Sequence, residues 1–201
     1  MANTQTIPSA LILASASPRR RELLRRMGLC FEVVAAEVEE DASGMGGAAR
    51  MVADNAALKA DAVASGHPGR LVLGADTTVE IDGALLGKPA DYAAARATLA
   101  RLSGVWHSVH TGVALRWKAR DFRADFVETS RVRFHDLTPD LIEGYIARVD
   151  PLDKAGAYSI GEARELLVAA VEGEVENVMG LPIRRVQEMF SEHGFDFRNP
   201  N

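Results

Sequence analysis

The segment Leu11-Ile12-Leu13-Ala14-Ser15-Ala16-Ser17-Pro18-Arg19-Arg20 ends on two serines, a proline and two adjacent arginines. The apolar residues read as a strand. Ser17 suits a helix N-cap, and Pro18 suits the first helical position, where its missing N–H costs nothing. The N–H groups of that helix start, Ser15 and Ser17, and the guanidiniums of Arg19 and Arg20 would converge beyond one strand end. Orphan N–H donors, a positive helix end and forked guanidinium donors all favour anions, so the corner suits a polyphosphate. By themselves the same residues also describe a capped helix with two solvated arginines.

Asp76 follows the apolar run Leu71–Ala75 and is expected at a strand end, where open α/β sheets place ligand sites. A carboxylate there can orient or deprotonate water and help hold a divalent cation. It can equally cap a turn before Thr77 and Thr78. Lys88 lies in a Gly87-Lys88-Pro89 loop, Lys59 on a helical pattern and Lys154 in an Asp-Lys-Ala-Gly loop. Singly, each reads as a surface charge. A polyphosphate ligand would need several cations together to neutralise its charge. The acidic run Glu37, Glu39, Glu40 and Asp41 reads as a solvated loop or as a source of oxygen ligands.

Other motifs are excluded on spacing. His107, His110 and His135 show no zinc-ligand pattern, and a structural hydrogen bond beside the sheet is the expected role of His107. Gly44-Met45-Gly46-Gly47 lacks the strand–turn–helix context of a dinucleotide fingerprint. The P-loop pattern Gly-x-x-x-x-Gly-Lys-Ser/Thr does not occur.

The elements that must position these residues are legible as hydrophobic patterns. Strands are expected over Leu11–Ala14, Phe31–Val34, Leu71–Ala75 and Val109–Leu115, and around Val132 and Phe134. Asp82-Gly83 within Val79–Leu86 signals a two-residue hairpin. Helices are expected from Pro18 to Gly28, over Met51–Val63, and over Tyr92–Leu102 behind an Asp91 cap. Two more should start at Thr138-Pro139 and at Pro182, the last turning Val186, Met189 and Phe190 inward. Alternating strands and helices with some hairpins argue for an α/β fold with a mixed sheet. The glycine-rich stretch near Gly44 and the two ends, 1–8 and 198–201, are expected to be flexible.

With 201 residues, 47% of them hydrophobic, the chain can bury a core as one domain or two small lobes. Its 23 Lys and Arg against 28 Asp and Glu leave a net charge of -5, which argues against a nucleic-acid or membrane binder. Cys30 is the single cysteine, so no intrachain disulfide or cysteine-rich zinc site can form, and it is expected to be a buried core thiol. Met1–Pro8 lacks signal-peptide features, and no run approaches the ~20 apolar residues that span a bilayer. A cytoplasmic location is expected.

The segment Ser15-Ala16-Ser17-Pro18-Arg19-Arg20 resembles the N-terminal signature of the Maf family of nucleoside triphosphate pyrophosphatases. Matching motifs follow in order: Gly74-Ala75-Asp76-Thr77, Leu86-Gly87-Lys88-Pro89, Ser103-Gly104 with His107 and Thr111-Gly112, Asp153-Lys154-Ala155-Gly156-Ala157-Tyr158, and Asn177 with Gly180-Leu181-Pro182. The resemblance implies one Maf-like domain over 1–201, a twisted mixed sheet flanked by helices, in two lobes around a central cleft, as in the inosine-triphosphatase-like fold.

The same resemblance assigns roles. Asp76 falls on the catalytic proton acceptor, and Arg20, Lys59, Lys88 and Lys154 on basic positions lining the cleft. Ser15, Arg19 and Thr77 join the substrate site, and Glu40 with Asp76 the metal site. The implied cofactor is a divalent cation, magnesium first, with manganese or cobalt as substitutes. Hydrolysis between the α and β phosphates, on dTTP and UTP, is the implied reaction. A homodimer, clearance of modified or surplus nucleotides and restraint of septum formation are further implications.

One departure bears on base choice. The pyrimidine branch usually continues Gly-Ile-Gln-Gly after the Tyr158 position, whereas this chain has Ser159-Ile160-Gly161-Glu162. Gly161 therefore stands where a base-reading glutamine is expected, with Glu162 beside it. The alternatives are the 7-methyl-GTP branch, a regulator that binds triphosphates without turnover, and a phosphatase that releases phosphate stepwise.

Overall fold

The computed structural model describes residues 5–6 and 11–196. Its strands are β1 (Gln5–Thr6), β2 (Leu11–Leu13), β3 (Phe31–Val33), β4 (Val72–Ile81), β5 (Ala84–Leu86), β6 (Trp106–Trp117), β7 (Phe122–Phe134), β8 (Val168–Glu172) and β9 (Phe195–Asp196). The helices are α1 (Pro18–Arg26), α2 (Ala48–Gly66), α3 (Tyr92–Leu102), α4 (Pro139–Ile146), α5 (Arg164–Leu167), α6 (Val175–Val178) and α7 (Ile183–Glu192). Of the ends expected to be flexible, Gln5–Thr6 pairs in parallel with β9, and the rest lies outside the described residues.

Local signals formed the elements they predicted. Ser17 Oγ accepts from Arg20 N at 3.4 Å and Pro18 opens α1. Asp91 Oδ1 accepts from Ala94 N at 2.7 Å to cap α3. The β4–β5 turn holds Asp82 at φ +50° and Gly83 at φ +75°, the positive pair that a type I′ hairpin requires.

The expected α/β class with a mixed, helix-flanked sheet is the one found. Seven strands run in the order β3-β2-β4-β6-β7-β8, with β5 added to β4. β3, β2 and β4 are parallel, and the pairing turns antiparallel from β4 to β6 and onward. On one face, apolar side chains form two clusters. Leu73, Ala75, Val113 and Leu115 pack under α1 and α7, and Val79, Ile81, Val109 and Val132 pack under α3 and α4. Between them stand Thr77 and Thr111, which are register partners. The other face carries α2, whose Ala56, Ala60 and Val63 cover Ile12, Val72 and Ala114.

Two expectations are corrected. Asp76 does not emerge at the end of its own strand: β4 continues through Thr77, Thr78 and Val79, β-branched residues paired to β6 throughout. It lies instead beyond the end of the neighbouring β2. On that edge β2 covers β4 at Val72 and Leu73, and β5 covers it at Val79–Ile81, so no described strand lies along residues 74–78. Cys30 is exposed and not a core thiol, because Leu29 takes the buried position and Cys30 leads into the sheet-edge strand β3.

Candidate active site

The gap in that edge is the floor of a cleft of about 720 Å³. One wall is the β2–α1 corner. Ser15 Oγ accepts from Ser17 N and from a terminal nitrogen of Arg20, each at 3.2 Å. The Arg20 guanidinium also donates through Nε to the Gly180 carbonyl at 2.8 Å and to Thr77 Oγ1 at 3.0 Å. Thr77 in turn meets Thr111, whose hydroxyl donates to the Asn177 carbonyl at 3.0 Å. Each hydroxyl has one proton, so the order Arg20, Thr77, Thr111, Asn177 gives both threonine protons an acceptor. Burial pulls the Arg20 guanidinium below the usual arginine range, against the pull of Asp76 and Glu40. Among the described residues no carboxylate bonds to it, so a buried positive charge is held by neutral acceptors alone.

The opposite wall is α2. A Cβ built on Gly74 would come within 2.3 Å of the Ala56 carbonyl, and one on Gly112 within 2.2 Å of the Val52 carbonyl. Only glycine lets the helix backbone lie this close to the sheet. Gly112 is the register partner of Asp76, so the close approach brings α2 down on the carboxylate itself. Lys59 Nζ lies 2.8 Å from Asp76 Oδ1 and 2.6 Å from Glu40 Oε2, and Asn55 Nδ2 donates to Asp76 Oδ2 at 3.1 Å.

This chemistry has a counterpart among known proteins. A family model described as Maf-like protein matches residues 10–193. The chain belongs to the Maf family. It is 48% identical to the dTTP/UTP pyrophosphatase of Moorella thermoacetica, over 94% of this chain and 97% of that protein. Identity is 46% to the dTTP/UTP pyrophosphatase of Symbiobacterium thermophilum (92% and 94% covered) and 42% to that of Bacillus cereus (92% and 91%). The Ham1 protein of Staphylococcus aureus superposes with a TM-score of 0.53 at 16% identity, covering 92% of this chain and all of that one. That likeness speaks for the fold alone.

In this Maf chain, Ser15, Arg19, Arg20, Glu40, Lys59, Asp76, Thr77 and Lys88 line the one cleft. Lys88 is held at the rim by its loop, where Gly156 N donates to the Gly87 carbonyl at 3.1 Å. Lys154 is buried, its ammonium turned onto the Asp150 carbonyl at 2.7 Å and onto Asp153, with Glu162 at 3.7 Å. Gly161 and Glu162 are exposed beside the lining residues Ser159 and Ile160. His107 makes the expected structural bond, 2.9 Å to the Tyr158 hydroxyl, and burial lowers its pKa to about 4.

Among the described residues no group of three His, Cys, Asp or Glu is placed to hold a metal ion. Asp76 and Glu40 nevertheless converge on one cationic nitrogen, that of Lys59. Two carboxylates are a donor set magnesium takes when water and other oxygens complete its shell. The residues present fit such an ion.

Sequence reasoning missed Asn55. A signal was there: Asn55 and Lys59 stand one helical turn apart and interrupt the buried apolar face of Met51, Val52, Ala56, Ala60 and Val63. It also gave Gly74 and Gly112, both within the family motifs, no packing role, although glycine inside a strand marks close backbone approach. Among the described residues no helix is long and apolar enough to cross a membrane.

Proposed function

We propose that this Maf protein hydrolyses nucleoside triphosphates between the α and β phosphates, with dTTP and UTP as substrates, releasing the monophosphate and pyrophosphate. The observation that carries the reading is the buried, carboxylate-free guanidinium of Arg20 facing the Asp76–Lys59–Glu40 group across one cleft. Relatives at 42–48% identity named dTTP/UTP pyrophosphatase support the substrate class.

Asp76 takes a proton from a water whose oxygen bonds to the α-phosphorus while the bond to the bridging oxygen of pyrophosphate breaks. Each carboxylate oxygen accepts two hydrogen bonds, so Asp76 keeps acceptor sites for that water beside its Lys59 and Asn55 bonds. Arg20, Arg19 and Lys88, with the donors around Ser15, bind the phosphates and offset charge on the leaving group. A divalent cation held by Asp76 and Glu40, magnesium first and manganese or cobalt in its place, supplies Lewis-acid neutralisation of the phosphate oxygens. We assign Thr77, Lys154, Gly161 and Glu162 to the substrate end of the cleft. The setting we assign is the cytoplasm, the working unit a homodimer and the role clearance of modified or surplus nucleotides, with restraint of septum formation as a consequence. These rest on family likeness.

Product analysis tests the reading. With UTP and magnesium the expected products are UMP and pyrophosphate, and UDP with inorganic phosphate as first products would overturn it. Asp76→Asn, nearly isosteric but a poor proton acceptor, should lower kcat by about 10²–10⁴-fold while the protein stays folded. Near-wild-type turnover of that variant would remove Asp76 from the base role.

A further inference from the structure

Asn55 makes three hydrogen bonds from α2, and all of them go to parts of the candidate site. Its Oδ1 accepts from Asp41 N at 2.8 Å, and its Nδ2 donates to the Asp41 carbonyl at 2.8 Å and to Asp76 Oδ2 at 3.1 Å. The side chain is 3% exposed, so water does not compete for these groups. An amide that engages both the N–H and the C=O of one residue imitates a strand partner. Among the described residues the backbone of 35–41 makes no other hydrogen bond. The polar ties of the acidic loop after β3 are therefore Asn55 and the ion pair of Glu40 with Lys59, beside the packing of Ala36 on the α2 core.

We propose that Asn55 is a positioning residue for the reaction: it sets the Asp76 carboxylate and the Glu40 loop at one fixed separation, with Lys59 between them. The consequence for turnover rests on the pyrophosphatase reading above, while the loop clamp does not. Both amide protons are committed, one to Asp41 and one to Asp76, so the Asp76 carboxylate and the Glu40 loop cannot move independently while Asn55 is in place. The bond to Asp76 fixes the carboxylate plane, and the Asp41 pair places Glu40 one residue before the clamp. A charge-receiving site needs this kind of advance positioning, because a small misplacement of reacting groups lowers the rate far more than binding.

Two full-length variants test this. Asn55→Leu keeps the branched shape and loses all three bonds. Asn55→Asp keeps an acceptor for Asp41 N and replaces the donor to Asp76 with a like charge. Hydrogen exchange of segment 35–43, measured without nucleotide, should quicken in Asn55→Leu, with protection of α2 and β4 unchanged. It should stay nearer wild type in Asn55→Asp. In UTP hydrolysis both variants should lose about ten- to a hundredfold in kcat, the scale of a hydrogen bond to a charged group. KM should stay within about threefold, since an interaction used mainly in the transition state has been removed. Folded variants with wild-type kcat and wild-type exchange of 35–43 would overturn the proposal. So would a loss of kcat accompanied by loss of protection throughout α2 and β4, which marks a purely structural role. If Asn55→Leu fails to fold, the near-isosteric Asn55→Asp carries the kinetic arm. Should wild type fail to make UMP and pyrophosphate, the functional reading falls, and loop exchange still decides the clamp.

Discussion

Arg20 and Lys59 occupy facing walls of one cleft and are buried to a similar degree, 9% and 7% exposed, yet their partners differ in kind. Lys59 touches two carboxylates, whereas Arg20 touches a carbonyl and two hydroxyls. A cation whose neighbours are anions has little field left for a ligand. One whose neighbours are neutral dipoles keeps its charge and lacks only a counter-ion. The two walls therefore differ in what they leave open: among the described residues the Arg20 guanidinium is bonded only to neutral acceptors, and the Lys59 ammonium is bonded to two carboxylates. His107 represents a third outcome, since burial beside Phe134 and Tyr158 favours its neutral form.

Removing each cation in turn should separate the first two outcomes. Lys59→Met leaves Asp76 buried without its ion partner and facing Glu40. Breaking a buried pair from one side costs about 3–5 kcal/mol. The Glu40 arm is 47% exposed and screened, so the lower part of that range is expected, read as a fall in urea midpoint. Arg20→Met removes a charge that was desolvated without a carboxylate, and leaves chiefly the Gly180 carbonyl unmatched. Its stability loss should be smaller than that of Lys59→Met, while KM for UTP rises about tenfold or more. Equal stability losses with an unchanged KM for Arg20→Met would erase the distinction between the walls.

The His107 contrast appears in acid. Its pKa falls from 6.5 to about 4 on folding, so between those values the unfolded chain binds the extra proton and the folded chain does not. The contribution is complete above pH 6.5 and is lost as the pH falls towards 4, on the order of 3 kcal/mol in all. Urea midpoints measured from pH 4 to 8 should therefore rise more steeply between pH 4 and 6.5 in wild type than in His107→Gln. Parallel curves for the two proteins would mean that His107 carries no such linkage.

The smallest effect concerns base choice. A Cβ on Gly161 would meet only Met179 Cε at 3.7 Å and Ser159 Oγ at 3.8 Å, ordinary contacts that admit a side chain. Gly161→Gln should sharpen the kcat/KM preference for UTP over CTP by about three- to tenfold, the worth of one neutral hydrogen bond. No change, or a blunted preference, would place base reading elsewhere, with Glu162 as the next residue to substitute.

Much of this protein is local in origin and was legible as such. Ser17, Asp91 and Thr138 cap helices because a short polar side chain can reach an N–H three residues on. Asp82-Gly83 turns a hairpin because both residues tolerate positive φ. The ordered motifs around Ser15, Asp76 and Lys88 marked the cleft before any fold was known. The interior of β4 was not legible, since a polar Asp-Thr-Thr run looks like the end of a strand unless pairing with β6 is known to continue. Cys30 was misplaced because an apolar neighbourhood in sequence does not say which neighbour faces the core.

What the sequence by itself determined is the α/β class, the longer helices and most strands of the sheet with their caps and turns, and which charged residues were candidates for one site, all of which depend on neighbours a few positions apart. Only the tertiary structure decided how those residues divide. Ammonium groups at 59, 88 and 154 are chemically alike, yet one bridges two carboxylates, one stands exposed at the rim and one is turned onto its own loop. Their environments come from packing between distant segments, above all the contact of α2 with Gly74 and Gly112, which brings residues 55 and 59 against residue 76. The field at a buried charge depends on which groups surround it in space, and chain order alone does not specify that.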